Sequence, residues 1–144
     1  MSRSTAESSA SDVPNRLLVV DDDPAICQIY RDVLARDAYE VVVAGSCTEA
    51  MAQMDALGGE ASALVVDLGL PDGDGAEFVY ASTRKYGARP TLFVSGWTDE
   101  FWDLSRAPGR WLVMRKPVPI AKLRLAVGWL LRGGDKPKEL DQPD

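Results

Sequence analysis

Ala63-Leu-Val-Val-Asp67-Leu-Gly-Leu-Pro71-Asp-Gly-Asp-Gly75 is an apolar run that stops on a carboxylate and opens at once into a turn of proline and glycine. An apolar run of this length bounded by turn residues fits a parallel-sheet strand covered on both faces. An ionised aspartate at the mouth of such a strand is costly unless a charged or hydrogen-bonding group meets it. The rest of the chain is therefore read for what meets Asp67.

Strands and helices alternate on both sides of this stretch. Leu17 to Val20 reads as a buried strand that ends in Asp21-Asp22-Asp23. Asp23-Pro24 starts a helix, with an N-cap acid followed by proline at the first helical position. Its apolar face is Ile26, Ile29, Tyr30, Val33 and Leu34. Tyr39 to Val43 is a second strand. Ser46 or Thr48 caps a second helix built on Ala50, Met51, Met54 and Leu57, which Gly58-Gly59 stops. After the strand at Leu64 to Asp67, a third helix runs from about Ala76 to Tyr86.

Pro90 to Val94 is a fourth strand, ending at Ser95-Gly96. A short helix from about Thr98 to Ser105 follows, closed by Pro108-Gly109. Arg110 to Met114 is the fifth strand, ending at Arg115-Lys116-Pro117. Pro119 opens a last helix with an apolar face of Ile120, Leu123, Val127, Leu130 and Leu131, ended by Gly133-Gly134. Each helix is the crossover that parallel pairing needs, so the fold class is α/β, a doubly wound five-stranded parallel sheet. Residues 1–15 read as a Ser/Ala-rich flexible leader, 16–133 as the folded domain, and 134–144 as a polar flexible tail.

Ligands in such sheets bind outside the carboxyl ends of the strands. Asp21 and Asp22 close the first strand, Asp67 the third, Ser95 the fourth and Lys116 the fifth, so the topology gathers them on one edge. Three clustered carboxylates repel one another unless a cation intervenes. As hard oxygen ligands they suit Mg²⁺ with several waters retained, and a divalent cation plus one lysine matches their charge. A carboxylate facing both cations is suited to attack phosphorus, with Ser95 offering a hydroxyl to a phosphoryl oxygen. The implied chemistry is in-line phosphoryl transfer to an aspartate.

Composition sets the bounds. The chain has 144 residues, 46% hydrophobic and 26% charged, as in a soluble domain with a real core. A formal charge of −6 with no basic cluster disfavours nucleic acid as a partner. No apolar stretch approaches a membrane span, and no signal-peptide core is visible, so the expectation is a cytoplasmic protein without a membrane partner. Cys27 and Cys47 form no CxxC pair and read as reduced, partly buried side chains. The chain has no histidine, which removes histidine-based catalysis, histidine metal sites and histidine phosphorylation from it.

Leu18-Val-Val-Asp21-Asp22-Asp23-Pro24, Asp67-Leu-Gly-Leu-Pro71-Asp-Gly-Asp-Gly75, Ser95-Gly96 and Lys116-Pro117 together resemble the receiver domain of two-component response regulators, over residues 16–133. The resemblance implies a flavodoxin-like (βα)5 fold with strand order 2-1-3-4-5. It implies that Asp67 is the phosphoacceptor. Mg²⁺ would be bound by Asp22, the Asp67 carboxylate and the Gly69 backbone carbonyl, with Asp21 contributing directly or through water. Ser95 would hydrogen-bond the phosphoryl group and Lys116 would pair with it, across a cis Lys116-Pro117 peptide. The implied donor is a histidine kinase or a histidine phosphotransfer protein. The implied role is phosphotransfer without turnover of an outside substrate. Asp23 is assigned only to capping.

Two features depart from the family's pattern. Val113 stands where many receivers carry a tyrosine or phenylalanine three residues before the lysine, with Trp111 two residues earlier. Large tryptophans, Trp97 and Trp102, occupy the short fourth helix or its approach. On the last helix, Leu125 and Trp129 lie off the main apolar stripe, which points to a contact surface for a homodimer or a docking partner. A free-standing receiver, a phosphate shuttle or sink, and a receiver excised from a hybrid histidine kinase all fit the sequence. A phosphohydrolase similar to the haloacid dehalogenases is disfavoured, because it leaves Asp67 without a role.

Overall fold

The computed structural model describes residues 15–96, 104, 107 and 109–141. The leader up to residue 14, most of the helix expected at 98–105, and Trp97 and Trp102 lie outside the described residues.

The main sheet comprises β1 (Arg16–Val20), β2 (Glu40–Ala44), β3 (Ala63–Asp67), β4 (Thr91–Ser95) and β5 (Trp111–Arg115), all parallel, in the order β2-β1-β3-β4-β5. This is the expected 2-1-3-4-5 arrangement. Four described helices accompany it: α1 (Pro24–Arg36), α2 (Cys47–Ala56), α3 (Gly75–Tyr86) and α4 (Ile120–Arg132).

Side-chain alternation along the central strands builds two cores. Leu17 and Val19 of β1, with Ala63 and Val65 of β3, face Tyr30 and Leu34 of α1 and Leu123, Val127 and Leu130 of α4. Leu18 and Val20, with Leu64 and Val66, face Ala50 and Met54 of α2 and Phe78 and Val79 of α3. The sheet is thus covered on both sides, and each fully buried leucine or valine contributes about 1.5–3 kcal/mol. β3 is buried along its whole length, as its unbroken apolar run requires.

Local signals set the helix starts. Asp23 accepts from the Ala25 amide at 2.9 Å with Pro24 in the first turn. Ser46, not Thr48, caps α2 by accepting from Glu49. Asp74 caps α3 through the Ala76 amide at 2.8 Å.

Two members of the expected apolar faces are exposed instead: Ile29 at 48% and Ile120 at 42%. Both sit at the border of their helix's stripe, where 3.6-residue spacing alone does not distinguish the rim from the centre. The residues expected as a tail include a short 3-10 helix, Lys138–Asp141, which contacts α4 and lays Leu140 against the α1/α4 core. Leu140 is the only bulky apolar side chain in that stretch, and it supplies the anchor.

Trp129, read from the sequence as lying off the main stripe, makes contacts within the chain. It is half-buried against the α1/α4 core, donates its indole N–H to the Gly134 carbonyl at 3.1 Å, and lies under the Arg110 guanidinium at 5.5 Å. Leu125 is half-buried on the rim of a groove that also includes Tyr39, Arg124 and Arg132.

One close approach ties the fold to the site. A Cβ on Gly75 would stand 2.2 Å from the Asp67 carbonyl oxygen and 2.7 Å from a methyl of Val66. Only glycine lets α3 begin against the end of β3. Gly75→Ala is expected to cost about 2–3 kcal/mol in urea unfolding. Gly96→Ala, whose Cβ would meet nothing closer than the Lys116 side chain at 3.9 Å, is expected to stay within about 0.5 kcal/mol.

Candidate functional site

The carboxyl edge of the sheet brings the predicted residues together. Asp21 follows β1, Asp67 ends β3, Ser95 ends β4 and Lys116 follows β5. Register sets Asp67 opposite Val94, and the Lys116 amide donates to the Ser95 carbonyl at 2.8 Å. The Lys116–Pro117 peptide is cis, as the resemblance implies.

Lys116 Nζ answers the question raised by Asp67. It lies 2.8 Å from Asp67 Oδ2 and 2.9 Å from Asp21 Oδ2. The two carboxylates are only 5% and 3% exposed. Each uses its other oxygen on a backbone donor: Asp67 Oδ1 accepts from the Gly69 amide and Asp21 Oδ1 from the Asp23 amide, both at 2.9 Å. Every oxygen of the buried pair therefore has a partner, the condition under which buried carboxylates are tolerated.

Burial pushes the Asp21 carboxyl above its usual range, and the nearby Asp67 charge adds to this; the Lys116 and Asp23 hydrogen bonds act in the opposite direction. For Lys116, burial opposes the ammonium, but the hydrogen bonds to Asp67 and Asp21 outweigh it and hold the lysine protonated well above its ordinary value.

Asp22 completes the set from the solvent side. Ligand oxygens of Asp21, Asp22 and Asp67 all lie within 4.8 Å of one another. Three carboxylates and one ammonium leave a formal charge of −2, and the donors are all hard oxygens. That combination fits Mg²⁺, whose small size and retained water suit a cluster with one exposed edge. Gly69 adjoins the cluster through its bond to Asp67 Oδ1. Ser95 is buried at the end of β4. Val113, where the resemblance places an aromatic ring, is 45% exposed on β5.

Sequence reasoning missed Asp72. Its carboxylate accepts from the Cys47 amide at 2.8 Å, the Thr48 amide at 2.9 Å and the Thr48 hydroxyl at 2.8 Å. These three bonds, the Thr48 amide first, lower its pKa to about 2. The only local signal was an acid in a Pro-Asp-Gly turn, which reads as turn chemistry; its partners are 24 and 25 residues away. The thiols are free, and burial with nearby acids holds Cys47 protonated up to about 11.

The sequence and the fold were also compared with known proteins. Residues 17–127 match the response regulator receiver domain family. The chain is 33% identical over 121 residues to the transcriptional regulatory protein TrcR of Mycobacterium tuberculosis, covering 83% of this chain and 46% of that protein. It is 32% identical over 84 residues to the KDP operon transcriptional regulatory protein KdpE of Escherichia coli, covering 58% and 36%. The chain thus spans less than half the length of these relatives. Among solved structures, a CheY-like receiver domain protein from Methanospirillum hungatei superposes with a TM-score of 0.74 at 24% identity, over 83% of this chain and 94% of that one.

Two outcomes follow from the charges. Because the folded state raises the Asp21 pKa, its ionisation weakens the fold as pH rises above the ordinary carboxylate range. Asp21→Asn, which keeps an oxygen for the Asp23 amide, is expected to raise Tm at pH 7 by about 3 °C in metal-free buffer. The Asp72 pKa shifts the other way. Its contribution is complete above about pH 4 and disappears as pH falls through about 2. The stability difference between wild type and Asp72→Asn in chemical denaturation should shrink across that window and stay level above it.

Proposed function

We propose, for a chain that belongs to the response regulator receiver domain family of two-component systems, that Asp67 accepts a phosphoryl group from a histidine kinase or a histidine phosphotransfer protein. The observation that carries this reading is the pair of buried carboxylates sharing one lysine, with a third acid exposed beside them.

An oxygen of Asp67 attacks phosphorus in line. The P–O bond forms as the P–N bond to the donor imidazole breaks, and the electron pair leaves with that nitrogen, which takes up a proton. Lys116, held protonated by its two carboxylates, offers a fixed positive charge to the phosphoryl oxygens. Ser95 supplies a hydroxyl donor. Mg²⁺, when bound, would neutralise charge on the transferring group. Asp22, Asp67 and the Gly69 carbonyl would hold it, with Asp21 contributing directly or through water.

Phosphorylation also changes what Lys116 must balance. It now bridges β1 and β3 through Asp21 and Asp67. An acyl phosphate on Asp67 draws the ammonium towards the new charge and loosens its hold on Asp21. Hydrolysis of the acyl phosphate resets the arrangement, so the only chemistry is phosphotransfer to and loss from Asp67.

The net charge of −6 and the absence, among the described residues, of any helix long and apolar enough to cross a membrane support a cytoplasmic protein whose partners are proteins. Trp129 is engaged within the chain. Self-association through α4 would therefore rest mainly on Leu125.

With Mg²⁺ and radiolabelled acetyl phosphate, wild type should incorporate label, and EDTA should prevent it. Asp67→Asn should lower incorporation by at least about a hundredfold, roughly the loss of a reacting nucleophile. Asp23→Asn, which retains an N-cap oxygen, should stay within about twofold. No label on the wild type with Mg²⁺ present would rule the reading out.

A further inference from the structure

The first turn of α2 has its four amides accounted for, and half of them bond to the loop after Asp67. The amides of Cys47 and Thr48 go to Asp72, the Glu49 amide to Ser46 Oγ, and the Ala50 amide to the Ser46 carbonyl. A helix N-terminus favours an anion, because its free amides and the macrodipole both point to it. Here that place is filled by a side chain of the same protein. The Thr48 hydroxyl adds a third bond from the side.

Asp72 sits at the tip of a tight ribbon. Gly69 and Leu70 pair antiparallel with Asp74 and Gly73, so the tip connects directly to Gly69. One end of this ribbon is fixed by the Gly69 amide on Asp67 Oδ1. The other is fixed where Asp74 caps α3 and Gly75 lies against the Asp67 carbonyl. Asp72 is the third anchor; with the Cys47 thiol, which donates to the Asp74 carbonyl at 3.6 Å, it ties the ribbon to a helix that lends no side chain to the acidic cluster.

We propose that Asp72 is a positioning residue for the cation site, using the N-terminus of α2 to hold the Gly69 segment where its carbonyl can serve as a ligand. This rests on the reading of the site as an Mg²⁺-dependent phosphoacceptor. A ribbon released from α2 must be ordered when the cation binds, so affinity falls while the acids that carry most of the charge stay in place. The coupling is reciprocal: a bound cation steadies the bonds from Cys47 and Thr48.

The test is calorimetric titration of the purified chain with Mg²⁺ alone, paired with thermal unfolding of the same variants. Asp72→Ala should weaken the Mg²⁺ dissociation constant by about five- to tenfold, a change of about 1–1.4 kcal/mol. Thr48→Val removes one of three bonds without touching the loop, and should weaken it by about twofold. In acetyl phosphate labelling, Asp72→Ala should need correspondingly more Mg²⁺ for half-maximal rate, with the rate at saturating Mg²⁺ within about twofold of wild type. A folded Asp72→Ala or Thr48→Val with lowered Tm but wild-type Mg²⁺ affinity would overturn the proposal, since that is the signature of capping alone. Should Asp72→Ala not fold, the Thr48→Val affinity decides. A wild type that binds no Mg²⁺ would instead remove the reading of the site on which the proposal rests.

Discussion

The structure depends on one ammonium group shared by two buried carboxylates. Asp21 and Asp67 end neighbouring central strands, and without Lys116 two negative charges would face each other out of water. Removing the ammonium from such a buried set typically costs about 3–5 kcal/mol, most of it the penalty on the carboxylates left behind. Lys116 follows β5, which is separated from β1 by two strands, β3 and β4. The ion pairs therefore tie together strand ends that are not all neighbours. The same arrangement leaves the edge with surplus negative charge, which a divalent cation can offset.

This explains why a costly motif occurs in an otherwise apolar sheet. Hydrophobic burial on two faces holds β1, β3 and β4 rigidly enough to set carboxylates within a few ångströms of one another. Capping acids, Asp23 and Asp74, start the helices that leave those strands. Gly75 removes the one side chain that would separate α3 from the end of β3. Stability elsewhere in the domain sustains a charged edge that would not assemble alone.

Much of this was legible in the residues. Apolar runs ending in Asp, Ser and Lys locate the strands to within a residue, because a buried strand must end where charge begins. Parallel topology then gathers those ends whatever their distance in sequence. Legibility fails where packing, not pattern, decides. Ile29 and Ile120 have the correct spacing for a buried face yet lie on its rim. Trp129 looks free on a helical wheel but is half-buried and contacts Arg110 and the chain after α4. Leu140 shows how one leucine in a polar stretch can bring it back to the core. Asp72 is the most instructive case, since nothing near it in sequence announces a partner on α2.

We propose that the carboxylate held by Lys116 on β3 is the one that takes the phosphoryl group. The most direct test is to load the wild-type chain with acetyl phosphate and Mg²⁺, reduce the acyl phosphate with borohydride, and map the product by peptide mass spectrometry. Reduction converts a phosphorylated aspartate to homoserine. Homoserine at position 67 alone is the expected product. Homoserine at position 21 or 22, or none in a protein shown to be folded and Mg²⁺-bound, would contradict the proposal.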